Sequence, residues 1–319
     1  MSRRVGRGAG RLVVAALAAA VALGGCAGAG AVTPVPPATR VPASPTPATP
    51  DAGPAPLTLD VDGRPVLLYL PDRAPEAPAA LVVALHGYTG QAAGVVEFLG
   101  LSPAAGRRGI LVAAPQASTD SEGNTFWNAG RACCDFHDSG VDDEGHILRV
   151  IDAVAAAHPV DPGRVFVVGH SNGGFLAHRL ACGHADRIAA IVSVAGALDT
   201  GTDCAPARPV SVLQVHGDAD ETVGYDGGDI NGNPFTGAEA TVGRWREADG
   251  CAQDPTTGAR LDADDGIAGA DLTPTGWDGC RDGAGVALWT IAGGSHAPRF
   301  TAAFTGAVLD WLDAHRRGA

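Results

Sequence analysis

The chain of 319 residues contains no lysine; all 22 of its basic residues are arginine. With the excess of Ala and Gly, this reads as the codon bias of a GC-rich genome and points to no function. Positive charge is scarce: the formal net charge is −13, and loss of residues 1–25 with their four arginines would take it to −17. Such an acidic chain argues against nucleic acid or an anionic membrane surface as a partner. Long hydrophobic runs are missing but for "LVVAALAAAVALGG", which is too short and too rich in small residues for a comfortable membrane span. Large apolar side chains are nearly absent from residues 27–56, so that Pro/Ala/Thr-rich stretch cannot offset the entropy of ordering. Metal-ligand spacings are lacking too. Cys133 and Cys134 are adjacent in "GRACCDFHDSGVDDEGH" and cannot adopt the C-x-x-C geometry that clasps zinc, and the acidic stretches "DGGDINGN" and "LDADDG" lack the spacing of a calcium loop, so they read as solvated surface.

What is present at the N-terminus is an export pattern. Basic "MSRRVGRGAGR" precedes the apolar run, and Leu23, Gly24, Gly25 and Cys26 are similar to a bacterial lipobox, in which the cysteine is lipidated. The expected organisation is a lipoprotein-type signal peptide over 1–25, a disordered tether over 26–56 and one domain over 57–319. A lipid on Cys26 would be its link to the membrane. Setting Cys26 aside, six of the seven cysteines remain in an exported domain, an even number that favours disulfides. Cys251 and Cys280 bracket a polar insertion and form one expected pair; Cys182 and Cys204 flank "IAAIVSVAGALD" and form another. Cys133 and Cys134 bond either to each other or to partners elsewhere.

From residue 57 the pattern becomes short apolar, β-branched runs alternating with helical stretches, which predicts an α/β fold. A hairpin turning at Asp62 and Gly63 leads into "ALVVALHG", "ILVAAPQ", "RVFVVGHS", "IAAIVSVAG", "VSVLQVHGD" and "VALWTIAGG" as strands. Helices are expected through Glu97 and Leu99, near 144–157, from Gly173 to about Ala181, near 238–248 and over 302–314. Runs that are apolar on both faces predict a mostly parallel sheet, doubly wound and covered by helices on both sides.

One junction carries chemistry. The strand "RVFVVGHS" runs into "NGGFLAHRLAC", so that Gly169, His170, Ser171, Asn172 and Gly173 form a G-x-S-x-G between strand and helix, where a sharp turn would expose the Ser171 hydroxyl. Serine is a weak nucleophile until a base takes its proton. Of the ten histidines, His296 follows the last strand on a glycine-hinged loop, the position that the chain order Ser, acid, His requires of the base. His86, His170 and His216 lie at strand ends or turns and read as structural hydrogen bonders. The acid belongs between serine and histidine, and "VLQVHGDADETV" offers Asp220, with Asp218 as the alternative. A tetrahedral oxyanion would need the backbone N–H groups of Asn172 and Tyr88. Trp127 and Tyr225 are expected on loops crossing the C-terminal sheet edge, where their rings, with the double cysteine nearby, would shape a substrate pocket.

Together "LHGYTG", "WNAGRACCDFHDSGVDD", "VFVVGHSNGG", "HGDADETV" and "GGSHAP" resemble the secreted polyhydroxybutyrate depolymerase and feruloyl esterase group of α/β-hydrolases, related to carbohydrate esterase family one, from about residue 57 onward. The resemblance implies the α/β-hydrolase fold and ester hydrolysis through an acyl-enzyme without a cofactor. It also implies Ser171 as nucleophile, Asp220 as acid and His296 as base. The expected substrates are hydroxycinnamoyl, short hydroxyalkanoate or acetyl esters. Two other readings share the scaffold: acyl transfer to a cell-envelope acceptor by the same three residues, and a surface lipoprotein that binds ligands without turnover.

Overall fold

The computed structural model describes residues 55–73, 77–201 and 203–318. The expected leader, Cys26 and all but the last two residues of the tether lie outside them. The first strands are β1 (Leu57–Val61), β2 (Arg64–Tyr69) and β3 (Ala79–Leu85), followed by helices α1 (Ala92–Phe98) and α2 (Leu101–Arg108). Next come β4 (Leu111–Pro115), the short β5 (Ser118–Thr119) and β6 (Thr125–Phe126), α3 (Asp143–Ala157), β7 (Val160–His170) and α4 (Asn172–Gly183). Strands β8 (Ala190–Val194), β9 (Ser211–Gly217), β10 (Gly227–Ile230) and β11 (Asn233–Thr236) precede α5 (Ala238–Asp249). The chain then runs through β12 (Thr256–Thr257), β13 (Leu272–Trp277), β14 (Val286–Ile291) and α6 (Ala302–Ala314).

Ten strands form one sheet in the order β1-β2-β4-β3-β7-β8-β9-β14-β13-β12. The six from β4 to β14 are parallel, and antiparallel strands extend both edges. Alternation along β3 shows why the strands read as continuously apolar. Leu81, Val83 and Leu85 join the core layer under α3, α4 and α5, whereas Val82 and Ala84 join the layer under α1, α2 and α6. Both faces are therefore dry, as in a doubly wound sheet. Among the described residues no helix is long and apolar enough to cross a membrane.

Two local expectations need correction. The single helix expected through Glu97 and Leu99 is two helices, because Gly100 adopts a left-handed conformation at φ 61° and ends the first. The insertion between Cys251 and Cys280 is not only a loop: it supplies β12 and β13, since Leu272–Trp277 pairs along the whole of β14 and covers what would be an open sheet edge. The stretch "DGGDINGN" forms β10 and the turn into β11, and none of its residues is buried, in keeping with a solvated surface. Cys182 bonds Cys204 and Cys251 bonds Cys280, as expected, and the open case resolves with Cys133 bonded to Cys134.

Candidate active site

The turn from β7 into α4 is built by close approach. A side chain on Gly169 would collide with the Gly173 carbonyl, and one on Gly173 would collide with the Leu85 carbonyl at the end of β3. Only hydrogen at these positions lets the helix start directly against the strands. Ser171, squeezed between them, takes φ 53° and ψ −120°, a sparsely populated conformation for a residue with a side chain. Its N–H donates to the Val194 carbonyl at 2.8 Å, which ties the turn to β8.

Two further strand ends meet this turn. Gly217 at the end of β9 packs on Gly294, and the Ala219 N–H donates to the Gly294 carbonyl at 3.1 Å, which brings the two loops together. His296 Nε2 lies 2.9 Å from Ser171 Oγ, and its Nδ1 lies 2.8 Å from Asp220 Oδ2. The carboxylate can only accept, so Nδ1 carries the proton and Nε2 is left to accept from the serine hydroxyl. Asp220 is a fully enclosed carboxylate whose Oδ1 also accepts from the N–H groups of Thr222 and Val223, at 2.8 and 2.9 Å. Burial by itself would raise its pKa. Hydrogen bonds from His216 and His296, with the His296 charge, overcome this and hold the group well below the usual carboxylate range. Asp218, the alternative acid, faces away from the imidazole and accepts from the Gly293 N–H at 2.6 Å, closing the turn before His296.

Tyr88 and Asn172 flank the serine. A side chain on Gly87 would touch Ser171 Cβ at 3.2 Å, so the loop after β3 passes directly beside the nucleophile position. Among the described residues neither the Tyr88 nor the Asn172 backbone N–H donates to a protein acceptor. Three side chains set this geometry, two of which, His86 and His170, the sequence reads as structural hydrogen bonders. His86 Nε2 accepts from the Ala117 N–H at 3.2 Å, so its Nδ1–H donates to the Gly87 carbonyl at 2.8 Å and holds the peptide whose other end is the Tyr88 N–H. The Asn172 side chain pairs with the Trp127 main chain, accepting at 2.7 Å and donating at 3.0 Å. His170 donates from Nε2 to the His296 carbonyl at 2.9 Å. Burial lowers its pKa to about 4, so it holds the His296 loop as a neutral ring. The only local signal for His86 and His170 is that a polar residue occupies an otherwise apolar strand end, and for the Asn172 side chain there is none.

The cavity over Ser171 has a volume of about 280 Å³ and is walled by Tyr88, Val95, Phe98, His170 and Ala297. Trp127 and Tyr225 are not part of its wall, contrary to expectation. Trp127 is fully buried because its indole N–H finds an acceptor in the core, the His86 carbonyl at 2.9 Å; Tyr225 is turned onto β14, with its hydroxyl 2.8 Å from Thr290 Oγ1. The buried Cys133–Cys134 pair is likewise a support: the Ala129 N–H donates to Cys133 and the Cys134 N–H to Trp127. Asp143 of the same stretch is buried against Arg64 and accepts from the Asn128 N–H at 2.7 Å. What the segment does line is a larger polar groove of about 540 Å³, between Asn128, Arg131, Phe136 and the hairpin residues Asn231 and Asn233. Phe136 packs edge-on against Tyr88, with ring centroids 5.3 Å apart, so this pair separates groove from cavity. Among the described residues no cluster of three or more His, Cys, Asp or Glu side chains is placed to hold a metal.

Comparison with known proteins matches residues 81–241, half of the chain, to the family described as alpha/beta hydrolase fold. The putative esterase NocK of Nocardia uniformis subsp. tsuyamanensis is 31% identical over 234 residues, covering 66% of this chain and 64% of the relative. Feruloyl esterase B of Piromyces equi is 29% identical over 231 residues, covering 69% of this chain and 40% of the relative. The chain thus spans less than two thirds of either relative. Among solved structures, an acetyl xylan esterase from Aspergillus awamori superposes with a TM-score of 0.56 at 18% identity, covering 79% of this chain and 94% of that one, a likeness of fold. By the match over β3 to α5 and by this shared architecture, the chain belongs to the alpha/beta hydrolase fold family.

Proposed function

We propose that the protein is a serine esterase that cleaves carboxylic esters through an acyl-enzyme on Ser171. The observation that carries this reading is the unbroken series Ser171 Oγ, His296, Asp220 at 2.9 and 2.8 Å, with the serine on a backbone turn of positive φ. His296 Nε2 takes the hydroxyl proton as Ser171 Oγ bonds to the ester carbonyl carbon. Asp220 steadies the imidazolium without taking the proton. The Tyr88 and Asn172 N–H groups receive the oxyanion, each worth about 3 kcal/mol to the transition state. His296 then returns the proton to the departing alkoxide, and the same base activates the water that releases the acid. The names of the two relatives, both esterases, support the same reaction class.

The rings of Tyr88 and Phe98 suit the cavity to an aryl or short aliphatic acyl group, such as a hydroxycinnamoyl, hydroxyalkanoate or acetyl unit. The polar groove beyond Phe136 offers room for the alcohol part. A fluorophosphonate should label wild-type protein at Ser171 and leave Ser171→Ala unlabelled; a wild type that stays unlabelled would refute the assignment. Turnover of aryl acetate, methyl ferulate and a hydroxybutyrate oligomer then ranks the acyl groups. Export and lipid attachment at Cys26 rest on the N-terminal sequence, and palmitate incorporation that survives Cys26→Ala would exclude Cys26 as the lipidated residue.

A further inference from the structure

Behind Asp220 lies a row of buried polar side chains that the proposed reaction does not use. Trp245 Nε1 donates to His178 Nδ1 at 3.1 Å, and His178 Nε2 is 2.9 Å from Gln214 Oε1. Gln214 Nε2 meets the Gly196 carbonyl at 2.8 Å and His216 Nδ1 at 3.1 Å. His216 Nε2 is 2.7 Å from the Val223 carbonyl and 3.4 Å from Asp220 Oδ2. His178 and Gln214 are 0% exposed, and Trp245 and His216 are 1% exposed, so water cannot substitute for any member.

The direction of every proton in this row follows from its ends. An indole N–H only donates, so His178 Nδ1 accepts and its proton sits on Nε2. Burial, which lowers the His178 pKa to about 4, keeps that ring neutral. Its Nε2–H then requires the carbonyl oxygen of Gln214, and the Gly196 carbonyl independently requires the Gln214 amide N–H. The same amide nitrogen faces His216 Nδ1, which must accept, so His216 carries one proton, on Nε2. The opposite tautomer would turn a lone pair toward both the Val223 carbonyl and the Asp220 carboxylate.

This matters because two imidazoles, His216 and His296, face the same oxygen of Asp220. We propose that the series Trp245, His178, Gln214, His216 is a tautomer lock: it makes His216 a positioning residue that holds the Asp220 turn, while His296 alone remains free to accept the serine proton. The hold acts from two sides. The His216 Nε2–H binds the carbonyl of Val223, whose own N–H donates to Asp220 Oδ1, and it stands beside Oδ2. The inference rests on the esterase reading for its consequence, though not for the tautomer itself.

The test is Gln214→Glu, which keeps the side-chain shape but replaces the donor facing His216 with an acceptor. In wild-type protein, two-bond ¹H–¹⁵N spectra should show His216 protonated on Nε2. In Gln214→Glu an acceptor faces Nδ1 while the Val223 carbonyl and Asp220 still face Nε2, so His216 should be protonated on both nitrogens, with kcat about tenfold lower and KM within about threefold. Gln214→Met, which removes the donor without adding an acceptor, should lose only about threefold in kcat. Wild-type His216 protonated on Nδ1, or on both nitrogens, overturns the lock even if the variants fail to fold. A Gln214→Glu protein whose His216 has gained the second proton while kcat stays within about twofold overturns its link to Asp220. Because the tautomer is read without substrate, failure of Ser171 to take up a phosphonate is a separate result.

Discussion

Asp249 offers a quantitative test of how this protein responds to pH. It ends α5, is 0% exposed, and among the described residues neither carboxylate oxygen accepts a well-formed hydrogen bond, the Val210 N–H being only loosely directed at it. The nearby Arg281 is spent elsewhere, donating from Nη2 to the Ala248 carbonyl at 2.5 Å and from Nε to the Asp249 carbonyl at 3.4 Å. Burial pushes the carboxyl up to about 7 from an ordinary 3.8, against the opposing Val210 backbone N–H and the more distant charge of Arg281. Below pH 4 both folded and unfolded chains hold this proton and the group does not affect stability. Between pH 4 and 7 the unfolded chain releases it while the folded one keeps it, so folding loses stability as pH rises; above 7 the loss is complete. At about 1.4 kcal/mol per pH unit over about three units, the full loss is roughly 4 kcal/mol. Asp249→Asn removes the titration. Urea unfolding of wild type and variant at pH 4 and pH 8 should give similar stabilities at the lower pH and a variant more stable by roughly 4 kcal/mol at the higher. Comparing the two proteins cancels the buried His170 and His178, which act in the opposite direction: their low folded pKa values make stability rise with pH between about 4 and 6.5. A difference between wild type and variant that is the same at both pH values would refute the reasoning.

Asp220→Asn should lower kcat/KM for an aryl ester by about 10³–10⁴ by misdirecting the His296 tautomer. Asp218→Asn, which touches only the Gly293 turn, should stay within about fivefold, and equal losses in the two variants would point to the wrong acid. His170→Ala should reduce kcat by about tenfold with little change in KM, since the His296 carbonyl loses its donor; an unchanged kcat would show that the loop holds itself. Gly173→Ala should destabilise the fold by about 3 kcal/mol or more, because its methyl would be driven into the Leu85 carbonyl, and an unfolding midpoint equal to wild type would contradict that packing.

Much of the architecture is legible in the chain because it is written locally. Apolar β-branched runs end at turn residues, so "ALVVALHG" and "RVFVVGHS" read as strands, and Gly169, Ser171 and Gly173 mark a tight strand-to-helix turn without reference to anything distant. Cys182 and Cys204, separated by 22 positions around a strand, and Cys251 and Cys280, separated by 29 around the insertion, could be paired from sequence order. The insertion itself was not legible: "DLTPTGWDG" is half polar, and β13 becomes a strand because the exposed edge of β14 offers it hydrogen bonds.

The sequence by itself determined the class of fold, the nucleophile-like turn, and the order in which serine, acid and histidine follow one another. For the acid the sequence offered Asp220 with Asp218 as the alternative, and the tertiary structure supplies the reason that Asp220 meets His296: both leave the same strand, and a two-residue difference becomes a choice of direction only when the Gly294 turn docks against Gly217. It also decided that Trp127 belongs to the core and Phe136 to the groove, since a ring's surroundings come from chain segments far away in sequence. The proton directions from Trp245 to His216 belong to this second kind. A histidine's tautomer is set by what faces each ring nitrogen, and here that is supplied by residues as many as 67 positions apart.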